Sequence, residues 1–389
     1  MKKGRIKLNK IPVEVNYSCF KGSKGVEEYH FVFTPLKYEN FQTQIKWLYT
    51  AYKKALKKFN IKEETSVFRR FFCSDLYNQK IYLEKMSFSN PSDFSNPTCI
   101  SWICQPPESP ARISMWAYHI NDRLNKTLKK NTLIIKREKF THYWTSGLIN
   151  IEDEFISGQT KTIIKNYIDI LNENNMTIFD NVIRTWYFIQ NIDTNYKEFV
   201  SARREIYFRN GLTPETHFIA STGVEGAYYD PKAKVILDAY AISGIKKEQI
   251  KFLSAPEYLS PTYIYGVTFE RGTSIDYSDR RHIIISGTAS INNKGEILHS
   301  GNILLQLKRT LKNIKALLKN ADADLKDMMI FIVYVRDPMD IKIVKKEMKK
   351  KFKNIPIIFA VAKVCRPGWL VEIEGIAVID NFRNDFPDF

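Results

Sequence analysis

One pattern occurs three times along this chain of 389 residues. A repeat constrains a fold more than any single motif, because every copy must solve the same packing problem. Each copy reads as a glutamine-bearing amphipathic helix, a β-rich run ending in Asp, and a closing apolar strand. In the first, Asn40-Phe-Gln-Thr-Gln-Ile opens a helix reaching Phe59, Ser66 to Asp75 is the strand run, and Ile113 to Ile120 closes. In the second, Gly158-Gln159 opens the helix, Val182 to Asp193 follows, and Val235 to Ile242 closes. In the third, Gly301 to Gln306 opens the helix, Met329 to Asp337 follows, and Val371 to Ile379 closes.

The spacings agree. Gln44, Gln159 and Gln306 precede their Asp by 31, 34 and 31 residues, and the Asp precedes Ala117, Ala241 and Ala377 by 42, 48 and 40. A second helical segment follows each Asp, clearest at 196–208 and 338–353. Each unit therefore reads as strands, helix, strand, helix, strand: an α/β sandwich with helices over one face of a sheet. The bare faces of three such sheets can bury one another around a pseudo-threefold axis, an intramolecular pseudo-trimer with clefts between units as natural ligand sites. The expected units are 1–121, 122–246 with a basic insert, and 247–389.

Composition narrows the setting. With 44% hydrophobic and 13% aromatic residues the chain can build real cores. The formal charge is +17, which raises the question of a polyanionic partner. Its densest basic runs, 122–140 and 342–353, interleave no aromatics with their cations as a base-stacking surface would. The second has an apolar stripe at Ile341, Val344, Met348 and Phe352, so its lysines read as the solvated face of a helix. Five cysteines at irregular spacings imply neither a disulfide framework nor zinc, and favour a reducing compartment. The histidines show no ligand spacing, so no metal is expected. A start without an apolar core region and the lack of any long apolar run lead to the expectation of a soluble cytoplasmic protein with no membrane span.

If three units share a scaffold, chemistry should sit where they differ. Aligned on Ala117, Ala241 and Ala377, the closing strands place Arg112, Ile236 and Glu372 together, and Ser114, Asp238 and Glu374 together. Only the third unit has a carboxylate at the first position. Glu372 and Glu374 are two apart on a strand and point the same way. They read either as two exposed glutamates on a strand face, or as a pair whose repulsion and burial raise one pKa toward general-acid use. The preceding loop, Val364-Cys365-Arg366-Pro367-Gly368-Trp369, is either a pocket wall or a buried thiol beside an ordinary turn. Ser221-Thr222-Gly223-Val224-Glu225-Gly226 is either a turn or a set of backbone amides for an anion. Arg184, Arg203, Arg204 and Arg271 are candidate clamps for a carboxylate, whose two oxygens a guanidinium fork matches.

These residues carry a resemblance. Ile285 to Ile291, the VYVRD run at 333–337 and the VEIEGIAVI strand are similar to the RidA (YjgF) superfamily, whose members form trimers with sites between subunits. The whole chain resembles the chorismatases, a RidA-related group. The matching segments are SDxxNQ from Ser74, QPP at 105–107, RTW at 184–186, STGVEG at 221–226, LSPTYIYGVTFERGT at 259–273 and VCRPGWLVEIEG at 364–375.

The resemblance implies three RidA-like, chorismate-mutase-like units in a monomer with internal pseudo-threefold symmetry. Its substrate would be chorismate, with no cofactor and no nucleic acid. It places the catalytic acid on Glu372, protonating the enolpyruvyl methylene so that pyruvate leaves. Cys365 and Gly272 resemble the members that form 3-hydroxybenzoate, rather than those that hydrolyse chorismate to a dihydroxycyclohexadienoate. Arg184, Arg203, Thr222, Gly223, Tyr265 and Arg271 carry over as substrate contacts. The other readings are the chorismate hydrolase, a RidA-type enamine or imine deaminase, and a non-catalytic RNA-binding module whose binding would fall steeply with salt.

Overall fold

The computed structural model of the protein describes residues 1–93 and 95–389, the side chain of Tyr265 excepted. The first unit contains β1 (Lys2–Ile6), β2 (Val13–Lys21), β3 (Glu27–Pro35), α1 (Phe41–Lys58), β4 (Ser66–Cys73), α2 (Leu76–Glu84), β5 (Cys99–Cys104) and β6 (Ile113–Asn121). The second contains β7 (Asn125–Lys129), β8 (Thr132–Lys136), β9 (Thr141–Leu148), α3 (Ile156–Asn172), the one-turn α4 (Ile178–Asn181), β10 (Val182–Ile189), α5 (Ile192–Arg209), β11 (Ala220–Glu225) and β12 (Val235–Ser243). The third contains β13 (Ile250–Phe252), β14 (Gly272–Asp276), β15 (Arg280–Ala289), α6 (Ile303–Asn320), β16 (Met328–Val335), α7 (Ile341–Lys351), β17 (Ile357–Val361) and β18 (Val371–Asp380).

The three sheets have one topology. Their orders are β1-β2-β3-β6-β4-β5, β7-β8-β9-β12-β10-β11 and β13-β14-β15-β18-β16-β17. The last pair of each is parallel and the rest are antiparallel. The repeated glutamine does the same work in each unit. Gln44 donates to Lys37 O and Pro110 O and accepts from Arg112 N. Gln159 donates to Asp153 O and Lys232 O and accepts from Lys234 N. Gln306 donates to His299 O and Gly368 O and accepts from Leu370 N. A buried amide thus ties the start of each long helix to the loop entering the closing strand, where backbone groups would otherwise go unpaired.

Amphipathic spacing seats the helices. Leu307, Leu311, Ile314 and Leu318 of α6 are buried and Asn302 caps its start, accepting from Leu305 N at 3.0 Å. The central strands β4, β10 and β16 are buried at every residue. A strand buried on both faces reads as a near-continuous apolar run, and here helices cover one face while the other units cover the second. One core cluster joins all three units, with Phe68 5.1 Å from Trp116 and 5.3 Å from Trp144 between ring centres. Each seam also holds a buried arginine on a carboxylate: Arg70 on Asp238 at 2.8 Å, Arg184 on Glu374, and Arg280 on Glu28 at 2.5 Å. No helix among the described residues is long and apolar enough to cross a membrane.

Two expectations need correction. Residues 122–140 are no insert: they supply the β7–β8 hairpin, in the place that β1–β2 and β13–β14 hold elsewhere. Lysines at exposed positions hide the strand pattern. Lys126 reaches back to the first unit, donating to Ser66 O at 2.9 Å and Pro97 O at 2.6 Å, and burial with Arg69 nearby lowers its ammonium to about 7. The first unit's alignment was also two residues off. The three central strands carry matching bulges, after Ser66, Val182 and Met328, and these stand opposite His119, Ala241 and Ala377. Hence Ser114, not Arg112, shares the place of Ile236 and Glu372, and Trp116 shares that of Asp238 and Glu374.

Candidate active site between the second and third units

Strand β18 points Glu372 and Glu374 to the same side, toward the second unit, and both are almost fully buried. Their partners separate them. Glu374 accepts from Tyr334 OH at 2.8 Å, from Trp186 Nε1 at 3.1 Å, and from Arg184 and Thr222 Oγ1. Glu372 sits two residues closer to the mouth, and no comparable set of hydrogen bonds meets it among the described residues. Burial first, then the Glu374 charge, push its carboxyl up to about 8; Arg184 and Arg271 pull the other way and lose. Glu372 is therefore pushed toward its proton-bearing form at neutral pH, which is what a general acid needs.

Room for Glu372 comes from a bulge in β15. The register with β18 shifts between Ile285 and Thr288, putting Gly287 against the carboxyl. A Cβ built on Gly287 would lie 2.0 Å from Glu372 Oε1, so only glycine fits without moving the acid. The Gly287 amide donates to Thr222 Oγ1 at 2.9 Å. Ser286 Oγ accepts from Arg184 at 3.1 Å and Ser221 N at 3.0 Å and donates to Glu270 O at 2.6 Å. The bulge is thus locked to the second unit on both sides.

The cleft beyond Glu372 has cationic and aromatic walls. Helix α5 supplies Arg203, buried among the rings of Tyr187, Phe199 and Tyr207 at 5.5, 5.0 and 5.8 Å. Its Nε donates to Thr268 Oγ1 at 3.1 Å while its Nη2 is buried without a hydrogen-bond partner among the described residues. A desolvated guanidinium with a spare donor is an anion site in waiting. Arg271 stands opposite, one nitrogen donating to Ser260 O at 2.9 Å. The loop after β17 adds Cys365, hydrogen-bonded to Tyr196, and Trp369, whose Nε1 donates to Ser290 O at 3.1 Å. Burial and the neighbouring Glu372 push the Cys365 thiol up to about 12, so it is a neutral, space-filling wall rather than a thiolate nucleophile.

The structure sorts the expected site residues. Glu372, Cys365, Arg203, Gly223 and Arg271 line one cleft. Arg184 does not: its guanidinium is spent on Glu374, Thr222 and Ser286, so it is a seam residue and not a carboxylate clamp. Thr222 likewise turns its hydroxyl to Glu374. Gly272 lies behind the wall; its missing Cβ would stand 2.8 Å from Ile284 O, so it acts by letting β14, and with it Arg271, sit tight on β15. The side chain of Tyr265 lies outside the described residues. Arg204 is spent on Gly266 O at the surface. Sequence reasoning missed Tyr196 and Gly287. The doublet Ser286-Gly287 inside an apolar strand was the available signal for a bulge.

The family model described as endoribonuclease L-PSP matches residues 274–379, the body of the third unit. Single-unit solved structures are similar to one third of the chain: RidA from the Antarctic bacterium Psychrobacter, at 20% identity, covers 33% of this chain and 99% of its own with a TM-score of 0.28. A Rid-family protein from Yersinia pestis, at 21% identity, covers 33% and 99% with a TM-score of 0.29. No curated protein matches. The sheet order of the matched third unit is written three times in this chain. A chorismatase crystal structure is similar in fold, covering 81% of this chain and 93% of its own at 17% identity with a TM-score of 0.62. The fold that the resemblance implied is the fold found.

Proposed function

We propose that the protein is a chorismatase, converting chorismate to 3-hydroxybenzoate and pyruvate. The observation that carries the reading is the buried Glu372, its carboxyl pushed up to about 8 by that burial, facing a cleft with arginines on both walls. The shared fold with a chorismatase supports it, although a fold alone would not, since one scaffold hosts many chemistries. Chorismate carries a ring carboxylate and an enolpyruvyl ether that ends in a second carboxylate. In this reading Arg203 and Arg271, two of the arginines lining the cleft, receive these groups.

In this mechanism Glu372 gives its proton to the enolpyruvyl methylene carbon, and positive charge develops at the ether carbon. The carboxylate left behind, itself buried, stabilises that charge. The bond between ring and ether oxygen then breaks, and the oxygen leaves with the three-carbon unit as pyruvate. The neighbouring ring hydroxyl attacks the vacated ring carbon and returns its proton to Glu372. Ring opening with loss of the adjacent ring hydrogen as a proton gives the phenol. The two products hold all the atoms of chorismate, whereas hydrolysis would add one water. In this reading Cys365, a neutral wall of the same cleft, fills the space that water would need.

One incubation tests this. Purified protein with chorismate should release pyruvate, read by a coupled lactate dehydrogenase assay, with 3-hydroxybenzoate identified by mass spectrometry. A dihydroxycyclohexadienoate would replace the product assignment, and absence of pyruvate would sink the activity.

A further inference from the structure

The seam between the third and first units repeats the catalytic cleft element by element and is also open. Helix α7 and edge strand β17 stand where α5 and β11 stand, and β2, β3 and β6 stand where β14, β15 and β18 stand. The cavity between them is about 260 Å³, just under the smallest drug-sized sites and enough for a single ring with a small substituent.

Its chemistry differs in one decisive place. Ser114 occupies the position of Glu372, its hydroxyl donating to Thr34 Oγ1 at 3.1 Å. Where α5 offers Arg203, α7 offers Lys345 and Lys349 one turn apart. Lys349 crosses to both oxygens of Glu14, at 2.8 and 2.6 Å, and Lys345 crosses to Glu108. Arg5, 3.9 Å from the same Glu14, and Lys353 also line the space, so that four cations face two carboxylates. Phe352, Ile357 and Phe359 form an apolar wall. Cations beside a flat apolar wall suit a ring bearing a carboxylate better than a bare, fully hydrated phosphate.

We propose that this seam is a second, non-catalytic binding site for a small aromatic carboxylate. The ring lies on Phe352 and Phe359, and the carboxylate is received by Lys353 and Arg5 with the hydroxyl of Ser114 nearby. With no acid at position 114 the ligand is bound and not transformed. The site does not depend on which reaction Glu372 performs. Because its walls belong to different units, an occupant braces the third unit against the first.

The test uses the full chain and two probes. Crystals soaked in 4-bromobenzoate should show the bromine anomalous peak in this seam, and calorimetric titration with benzoate should detect binding in solution. Lys353→Glu, an exposed change that leaves the buried ion pairs alone, should weaken that binding at least tenfold while chorismate turnover stays within twofold of the wild type. Bromine only in the Glu372 cleft or nowhere, binding at crystal concentration only, or equal benzoate affinity in Lys353→Glu would each overturn the proposal. So would displacement of benzoate by inorganic phosphate at equal concentration.

Discussion

The seam between the first and second units and the seam between the second and third are built alike. The first seats Arg70 on Asp238, both fully buried, with Asp238 also accepting from Gly147 N at 2.7 Å. The second seats Arg184 on Glu374, with Gly287 N reaching the pair through Thr222. Asp238 and Glu374 hold the same place on their closing strands. Two residues earlier stands Ile236 in one seam and Glu372 in the other. The buried pair is therefore scaffold and the acid is the addition. A balanced charge can fasten two sheets together, whereas a second carboxyl whose burial outweighs the pull of Arg184 and Arg271 is pushed toward its protonated form, and so can donate a proton.

Breaking the addition should have the largest effect. Glu372→Gln should lower pyruvate release about 1,000-fold and leave a folded protein; an active variant would remove the acid from its role. The same variant tests linkage. The wild-type carboxyl titrates near 8 when folded and at the ordinary 4.5 when unfolded. Its stabilising contribution is therefore full below about 4.5 and is lost as pH rises through about 8. Urea midpoints should show Glu372→Gln gaining on the wild type between pH 6 and pH 9.

Breaking the scaffold should act on stability instead. Arg70→Met strands a buried carboxylate and should cost about 3–5 kcal/mol in urea unfolding, most of it restored in Arg70→Met/Asp238→Leu. A single variant within about 1 kcal/mol of wild type would show that this pair does not hold the seam. Gly287→Ala, which displaces the acid without removing it, should reduce kcat/KM by about 100-fold with the fold intact. Glu374→Gln removes the repelling charge, so the alkaline limb of the pH profile should move below about 8; an unmoved limb would leave burial as the sole cause. The smallest change in rate is expected from Cys365→Ala: pyruvate release within about threefold, but a larger share of dihydroxycyclohexadienoate by mass spectrometry.

Much of the fold was legible because each repeated signal had a repeated mechanical cause. Gln44, Gln159 and Gln306 were visible as landmarks since each makes the same three backbone bonds. The first unit's register was not legible, because a bulge inserts a residue with no fixed sequence mark, and an alanine two residues away offered a false anchor. The hairpin at 122–140 was hidden by lysines, whose charge reports which side faces water and not whether the backbone pairs. At the site, Glu372 stood out by comparison between copies. Arg184 misled for a simple reason: a guanidinium that could clamp a ligand and one that seats a neighbouring strand's carboxylate look the same until the second carboxylate is placed. Gly287 matters for an atom it lacks, which no residue-type signature announces.

The three glutamine-braced units share one chain, and that changes how mutations are counted. In a ring of separate identical copies, any substitution is written three times around the axis, so a new buried acid would appear at every seam at once. Fused, each seam has its own codons. Glu372, Ile236 and Ser114 can drift apart, and a tight inhibitor of the acid's cleft should titrate at one equivalent per chain.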